Sequence, residues 1–482
     1  MTAQRLSDLV CRDLAVDPEI LGVTADSRRV RPGWLFAALP GAKADGRSFV
    51  PAALSAGAAA VLAGEAMPGL AAPVIQVGDP RRAYALAAAA FHGAQPKTCV
   101  AVTGTNGKTS VAVFCRQIFE RAGHASASMG TLGVQAGTEQ LTGPGLTTPD
   151  AADVAAILAD LAARGVTHLA LEASSHGIDQ RRLDGVRISA AGFLNLTQDH
   201  LDYHGTMGAY RAAKLRLFDT LLPRGAAAVL NADSEAFPAF AAAAVTAGQT
   251  LITVGAMGQG LTLVGRSLTP GGQSLRIKAW GRDFDVALPL AGAFQAGNAL
   301  VAAGLCIAAG ERVETVLGAL EHLQGAPGRL QLVGAGPLGG DAYVDYAHTP
   351  DGLRTVLQAL RPHARGRLIV VFGAGGDRDR AKRPIMGSIA ADLADIAIVA
   401  DDNPRSEDPA AIRAEIRAGN PGLVDIGDRR AAIAEAAARL QTGDILVVAG
   451  KGHETGQTVG DAIHPFDDVL ETRRALGLEV AV

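Results

Sequence analysis

The stretch CVAVTGTNGKT, residues 99–109, sets the architecture of what surrounds it. Residues 99–103 are a short apolar run, 104–107 carry two glycines, and the run 108–122 ends at Gly123. That order predicts strand, tight loop and helix. Glycine at 104 and 107 lets the backbone approach an anion closely, and the amides opening the helix point at it. Lys108 supplies a point charge for terminal phosphates, and the Thr109 hydroxyl is a ligand for magnesium. The common phosphate-loop pattern places glycine six residues before the lysine. Here Val102 stands there, so the loop is a shorter form, TGTNGKT. The competing reading, an ordinary glycine turn, is disfavoured by the strand–loop–helix order.

Working outward, apolar runs at 167–172 and 188–196 alternate with turns and helical segments, which predicts parallel strands covered by helices. Near 262–290 the period becomes two. Leu275, Ile277 and Ala279 alternate, as do Phe284, Val286 and Leu288, with Pro270-Gly271-Gly272 as a turn, so a small antiparallel sheet is expected. Upstream, 59–63 and 73–77 read as strands and 81–92 as a helix, with a boundary at Gln95-Pro96-Lys97. A second join lies at 325–329. Beyond it the runs 368–372, 396–400 and 445–449 and a helix over 429–439 predict an open, doubly wound domain. The expected fold is α/β in three domains: 1–96, 97–330 and 331–482.

Composition narrows the function. The 482 residues are 48% hydrophobic and 19% charged, which suits a folded protein with a large core. A net charge of -4 gives no electrostatic footprint for nucleic acid as the main partner. No apolar run is long enough for a membrane span, and the first residues lack a signal-peptide core. Cys11, Cys99, Cys115 and Cys306 are scattered without a CxxC pair, so neither a cysteine zinc site nor a disulfide framework is indicated. A reducing, cytoplasmic location fits.

Several polar residues follow predicted strands, where ligands of parallel sheets collect. Glu172 ends one strand and is a magnesium ligand or a solvated strand end. Asp199, His200, Asp202 and His204 are packed into six residues. Their spacing suggests either a metal site or a polar helix start capped by aspartate, and an HExxH motif is absent. Lys214 on pattern alone is a surface lysine. Asp345 and His348 follow another apolar strand.

In chain order, TGTNGKT, Leu146-Thr147-Thr148-Pro149, LEASSHG (171–177), NLTQDHLDYHG (195–205), the Lys214 segment, FQAGN (294–298), GRLQ (328–331) and DYAHTPDG (345–352) together resemble the Mur ligase family, which builds the peptide stem of bacterial peptidoglycan. The resemblance implies a substrate-anchoring N-terminal domain, a central ATPase and a Rossmann-like C-terminal domain. It also implies acyl-phosphate chemistry: a carboxylate attacks the γ-phosphate of ATP, and an amine then displaces phosphate. By resemblance, ATP is held by Gly104, Thr105, Asn106, Gly107, Lys108, Thr109, Ser110, Asn298, Arg329 and Asp345. Lys108, Glu172, His200 and Lys214 are the catalytic set. Thr109, Glu172, His200 and Lys214 as a carbamate are implied to hold magnesium. Gln295 departs from the asparagine common in the family.

Asp26-Ser27-Arg28, Pro32-Gly33-Trp34-Leu35-Phe36 and Gly41-Ala42-Lys43-Ala44-Asp45-Gly46 resemble the segment that anchors UDP in the member acting on UDP-MurNAc-L-Ala-D-Glu. This implies contacts from Ala25, Ser27, Ala42, Lys43 and Ala44, and contacts to the muramyl dipeptide from Thr147, Thr148, Ser174, Gln180 and Arg182. Asp402-Asn403-Pro404-Arg405 resembles the signature of ligases that select meso-diaminopimelate over lysine. Arg405 is suited to the extra carboxylate, with Arg378, Gly450 and Glu454 as further contacts; a plain type I turn is the bland alternative. Small-molecule substrates, a monomer and no membrane insertion are expected. The alternatives are a lysine-adding sibling, a folylpolyglutamate synthase, or a regulatory phosphate-loop ATPase.

Overall fold

The computed structural model describes residues 3–41, 44–143, 145–269 and 271–479. Two compact units form: Met1–Thr262 with Leu300–Val316, and Leu263–Ala299 with Leu317–Val482.

The first unit opens with a four-stranded parallel sheet in the order Gly22–Thr24, Trp34–Ala38, Ala60–Ala63, Val74–Gln76. The helix Pro80–His92 packs its buried Tyr84, Ala87, Ala88 and Phe91 into the core of this sheet. Asp79 caps that helix by accepting from Arg82 N, and Pro80 sits in its first turn, where a missing N–H costs nothing. The expected strands at 59–63 and 73–77 and the helix at 81–92 are all present.

The sheet that carries the phosphate loop then runs Glu139–Thr142, Gly133–Ala136, Ser126–Gly130, His168–Glu172, Thr98–Thr103, Ala190–Phe193, Ala227–Asn231 and Thr250–Gly255. From Ser126–Gly130 onward neighbours are parallel. Its central strands, His168–Glu172, Thr98–Thr103 and Ala190–Phe193, are buried along almost their whole length because both faces are covered. Leu158, Leu161, Leu171, Phe193, Phe218 and Phe240 share one core cluster, with Phe193 and Phe240 stacked at 3.6 Å between centroids.

In the second unit Gly272–Ala279 pairs antiparallel with Arg282–Leu288, and Gln273, Leu275, Ile277 and Ala279 are buried on one face, as the period of two requires. The tight turn of this hairpin is Trp280-Gly281, both at positive φ (44° and 82°), the geometry of a two-residue type I′ connection. The expected turn at Pro270-Gly271-Gly272 precedes this hairpin: Gly271, at φ 71°, is the turn residue before Gly272–Ala279, and Pro270 lies outside the described residues. The last sheet runs Gln331–Ala335, Asp341–Asp345, Ile445–Ala449, Leu368–Phe372, Ile396–Val399, Val424–Asp425, parallel except for its first pair. The doubly wound expectation holds.

Candidate functional site

The phosphate loop leaves the strand Thr98–Thr103 and enters the helix Lys108–Arg121. Gly107 opens that helix at φ 91°, where only glycine is unstrained. A Cβ on Gly104 would stand 2.9 Å from Leu194 Cβ, so the loop and the end of the neighbouring strand are pressed together. Asn195 fixes the loop reciprocally: Asn106 N donates to Asn195 Oδ1 at 2.9 Å, and Asn195 Nδ2 donates to Asn106 O at 3.1 Å. Thr105 N donates to Asn195 O at 3.0 Å, and the Thr105 hydroxyl meets Thr197 and Tyr210 at 3.1 Å each. Lys108 Nζ donates to Gly104 O and Thr105 O at 2.9 and 2.8 Å. The Thr103 hydroxyl is buried without a partner.

Lys214 is not the surface lysine its local pattern suggests. It is 1% exposed on the helix Met207–Arg216. Its Nζ donates to Gly104 O at 2.8 Å and lies 4.5 Å from the Tyr210 ring centroid. Burial, with Lys108 adding repulsion, lowers its pKa well below that of an ordinary lysine. Burial therefore shifts the balance toward the neutral amine.

Glu172 is 2% exposed, so it is not a solvated strand end. Its Oε1 accepts from Thr131 N at 2.9 Å and its Oε2 from the Thr131 hydroxyl at 3.3 Å. Thr131 also meets Thr147 at 2.9 Å. Thr148 donates to Glu172 O at 3.0 Å and meets Ser174 at 3.0 Å. Arg182 donates to Thr148 O at 2.6 Å and to Gln180 Oε1 at 2.8 Å, and Gln180 donates to the Tyr203 hydroxyl at 3.1 Å. Thr147, Thr148, Ser174, Gln180 and Arg182 thus form one connected group around Glu172.

Of the two readings of the 199–204 segment, the aspartate N-cap is not the one seen: His200 is the N-cap of the helix Leu201–His204 and makes no side-chain cap bond, while Asp199 Oδ1 accepts from His200 N at 2.8 Å. His200 holds a left-handed φ of 52° and stays near half exposed. Its ring stands 4.9 Å from that of His176, which also packs on Tyr203 and His204 at 4.1 and 5.5 Å.

Near the N-terminus, Asp26 accepts from Arg28 N at 3.0 Å and pairs with the Arg28 guanidinium, which holds its carboxyl down to about 2. The DSR segment is therefore a capped 3-10 turn presenting Ser27 half-buried. Ala25 precedes it and Ala44 is exposed; Ala42 and Lys43 lie outside the described residues.

In the second unit the Asp402–Arg405 segment is held from several sides. Asn403 Oδ1 accepts from Lys451 Nζ at 3.1 Å and Thr458 N at 2.9 Å, while its Nδ2 donates to Glu454 Oε2 at 2.9 Å. Lys451 Nζ also donates to Glu454 Oε2 at 3.1 Å and stands 3.8 Å from Asp402. Arg405 has φ 53°, so the plain type I turn is excluded. Its N–H donates to Thr458 O at 3.1 Å and its Nη1 to Gly376 O at 2.7 Å. A Cβ on Gly450 would stand 3.0 Å from Asp402 Oδ2. Arg378 is exposed.

Asp345 is buried, and its carboxylate accepts from Leu330 N at 2.6 Å and Ala347 N at 2.8 Å. It thereby pins the GRLQ turn that carries Arg329, whose guanidinium lies 4.6 Å from the Tyr346 ring centroid. Gln295 Oε1 accepts from Asn298 Nδ2 at 3.0 Å and orients that side chain. Five supporting residues escaped the sequence reading: Thr131, His176, Asn195, Tyr210 and Lys451. His176 and Asn195 lie inside motifs already noticed, Tyr210 opens the Lys214 segment and Lys451 adjoins Gly450, but the pattern assigns none of them a role. Thr131 carries no local signal.

The fold and these clusters are those of an amide-forming, phosphate-loop ligase, and the chain belongs to the Mur ligase family. The profile "Mur ligase middle domain" matches residues 102–306, "Mur ligase, glutamate ligase domain" matches 328–452, and "Mur ligase family, catalytic domain" matches 19–92. A relative from Caulobacter vibrioides, named UDP-N-acetylmuramoyl-L-alanyl-D-glutamate--2,6-diaminopimelate ligase, is 69% identical over 98% of this chain and 99% of its own length. One of the same name from Mesorhizobium japonicum is 54% identical over 96% of each. A solved structure of a ligase with that name matches with TM-score 0.76, 35% identity and 99% coverage of both chains.

Proposed function

We infer that the protein is the ATP-dependent ligase that joins meso-2,6-diaminopimelate to the D-glutamyl carboxylate of UDP-MurNAc-L-Ala-D-Glu in peptidoglycan precursor synthesis. The observation that carries this is the 69% identity across 98% of the chain to a relative of that name, with a phosphate loop and a basic residue at Arg405 in place.

The chemistry follows from the clusters. The glutamyl carboxylate oxygen attacks the γ-phosphorus of ATP, the bond to the β,γ-bridging oxygen breaks, and ADP leaves. The amine of diaminopimelate then attacks the acyl carbon, phosphate departs with the C–O electrons, and the amine loses a proton. Negative charge gathers in the first step, and we assign Lys108 and the loop amides of 104–110 to offset it. Thr109, Glu172, His200 and a carbamate on Lys214 would hold magnesium, which neutralises phosphate charge when bound. The donor set fits: hydroxyl and carboxylate oxygens, a near half-exposed imidazole and the partnerless Thr103 hydroxyl surround the loop region. Carbamylation needs a neutral amine, and the burial of Lys214 favours that form.

The remaining assignments are proposals supported by position. Ala25, Ser27, Ala42, Lys43 and Ala44 anchor UDP; Thr147, Thr148, Ser174, Gln180 and Arg182 hold the dipeptide. On the second unit Asn298, Arg329 and Asp345 serve the nucleotide; Asp345 acts by pinning the Arg329 turn. Arg378, Asp402, Asn403, Pro404, Arg405, Gly450 and Glu454 hold diaminopimelate: Arg405 takes its distal carboxylate and Glu454 an ammonium. A site so charged leaves groups unpaired when lysine binds. We retain the domain division 1–96, 97–330 and 331–482, which the three family matches support. No helix among the described residues is long and apolar enough to cross a membrane. We propose a cytoplasmic monomer, a reading supported by four free cysteines.

The test is phosphate release from ATP and magnesium with UDP-MurNAc-L-Ala-D-Glu, comparing meso-diaminopimelate, lysine and no amine. Turnover with diaminopimelate alone is expected. Equal turnover with lysine overturns the specificity, and turnover without any amine overturns the ligase reading.

A further inference from the structure

The strand His168–Glu172 has two chemically different ends. Glu172, at its C-terminal end, is paired in register with Val102, just before the phosphate loop. His168, at its start, is paired with Thr98, roughly 13 Å back along the strand at about 3.3 Å per residue. There it meets two groups distant in sequence. The His124 ring stacks on the His168 ring at 3.9 Å between centroids, and His124 Nε2 lies 2.7 Å from Glu311 Oε1. One ligand-type atom from each of the three residues falls within 4.8 Å of the others.

We propose that His124, His168 and Glu311 bind one divalent transition-metal cation of the zinc class, at the end of the sheet opposite the phosphate loop. Two imidazoles and one carboxylate make a borderline-soft donor set that prefers such a cation to magnesium or calcium. Bond lengths of about 2.1 Å in a tetrahedron put ligand atoms about 3.4 Å apart, so side-chain rotation from the present spacing closes the site. A water completes the fourth position.

The Thr167 hydroxyl lies 3.2 Å from Ala125 O and 2.9 Å from His168 Nδ1. When it donates to Ala125 O it accepts from Nδ1–H, which leaves the lone pair on His168 Nε2 for the cation. Hydrogen bonds of this kind orient metal-bound histidines. The backbones are equally fixed. His124 N donates to Phe119 O at 3.0 Å, and Glu311 N to Cys306 O at 3.1 Å, each just past the end of a helix. The Phe119 ring lies 4.7 Å from His168 and 6.4 Å from His124 and walls the site on one side. Without a metal, the His124–Glu311 hydrogen bond satisfies both groups; binding a cation there displaces a proton. Lys97 is the nearby opposing charge.

Because the ligands come from residues 124, 168 and 311, an occupied site ties three distant segments of the first unit together. At free metal a hundredfold above Kd, the folded-to-unfolded ratio rises about 100-fold.

The full-length protein, stripped with chelator and dialysed, is titrated with Co2+ and followed by the visible absorption of tetrahedral cobalt. Thermal unfolding is then measured with and without Zn2+. One equivalent giving the tetrahedral bands is expected. His168→Asn, and independently the milder Glu311→Gln, lose the bands and the Zn2+-dependent rise in Tm but keep ligase turnover. His200→Asn, in the separate histidine group beside the phosphate loop, keeps the bands. Absence of bands in the unsubstituted protein overturns the proposal. So does their survival in both His168→Asn and Glu311→Gln, or their loss in His200→Asn alone.

Discussion

Substituting Gly130 by alanine tests whether catalysis depends on where Glu172 stands. A Cβ at position 130 would lie 2.5 Å from Glu172 Cδ and 2.6 Å from Cγ, and closer still to Oε1. Ordinary carbon contacts are about 3.5–4.0 Å, so one partner must move by about 1 Å. Gly130 is the last residue of a strand buried along its length, which leaves the carboxylate to yield. That breaks its bonds from Thr131 N and the Thr131 hydroxyl. A misplacement of about 1 Å in a catalytic constellation costs on the order of 100-fold in rate, or about 2.7 kcal/mol of barrier. Initial rates of phosphate release at saturating substrates should fall by about that factor, with the Michaelis constant for diaminopimelate nearly unchanged. Gly143→Ala, where an added Cβ meets nothing within 4 Å, is the matched control. Glu172→Asp draws the carboxylate back, so the losses from Gly130→Ala and Glu172→Asp should combine to less than their product. A Gly130→Ala enzyme within twofold of the original rate refutes the reasoning, as does strict multiplicativity in the double variant.

Lys214→Ala should abolish turnover, and added bicarbonate or short carboxylates should restore part of it; full activity without additive would remove Lys214 from the reaction. Arg405→Ala should raise the Michaelis constant for diaminopimelate at least tenfold and leave that for ATP within twofold, measured by steady-state kinetics. Asp468→Ala strands Arg429, which is fully buried and donates to Asp468 at 2.7 and 2.8 Å; uncompensated buried charge costs about 3–5 kcal/mol, so a calorimetric Tm should fall by about 10 °C. His453 is pushed down to about 4, mainly by burial. The unfolded chain, with an ordinary histidine, therefore binds more protons between pH 6.5 and 4, and stability should decline as pH drops through that window. His453→Gln should flatten the decline seen in denaturant titrations at stepped pH.

What could be read from the sequence was local. The loop at 104–107, the helix that follows it and the apolar strands at 368–372 and 445–449 each carry their signal within a few neighbouring residues. The three-residue strand Gly22–Thr24 does not, because two or three residues cannot display a period. Trp280 gave no hint of a turn: tryptophan is an improbable occupant of positive φ, and hairpin pairing overrides that preference. Pro404 pointed to a type I turn, but bonds from Arg405 to Thr458 and Gly376 draw the chain into a left-handed bend. Lys214 was the sharpest divergence between local pattern and environment, since its burial depends on a loop 110 residues earlier. Thr131 reaches Glu172 across two strand ends, a contact that spacing does not encode.

The mutual bonds between Asn195 and Asn106 bear on how nucleotide affinity is used. A phosphate loop that took shape only around its ligand would lose conformational freedom at about 1–2 kcal/mol per residue. For the five residues 104–108 that amounts to about 5–10 kcal/mol, comparable with the whole binding free energy of a micromolar complex at about 8 kcal/mol. Here that ordering belongs to folding. Attraction between loop and phosphates is then free to act on the charge that grows during phosphoryl transfer.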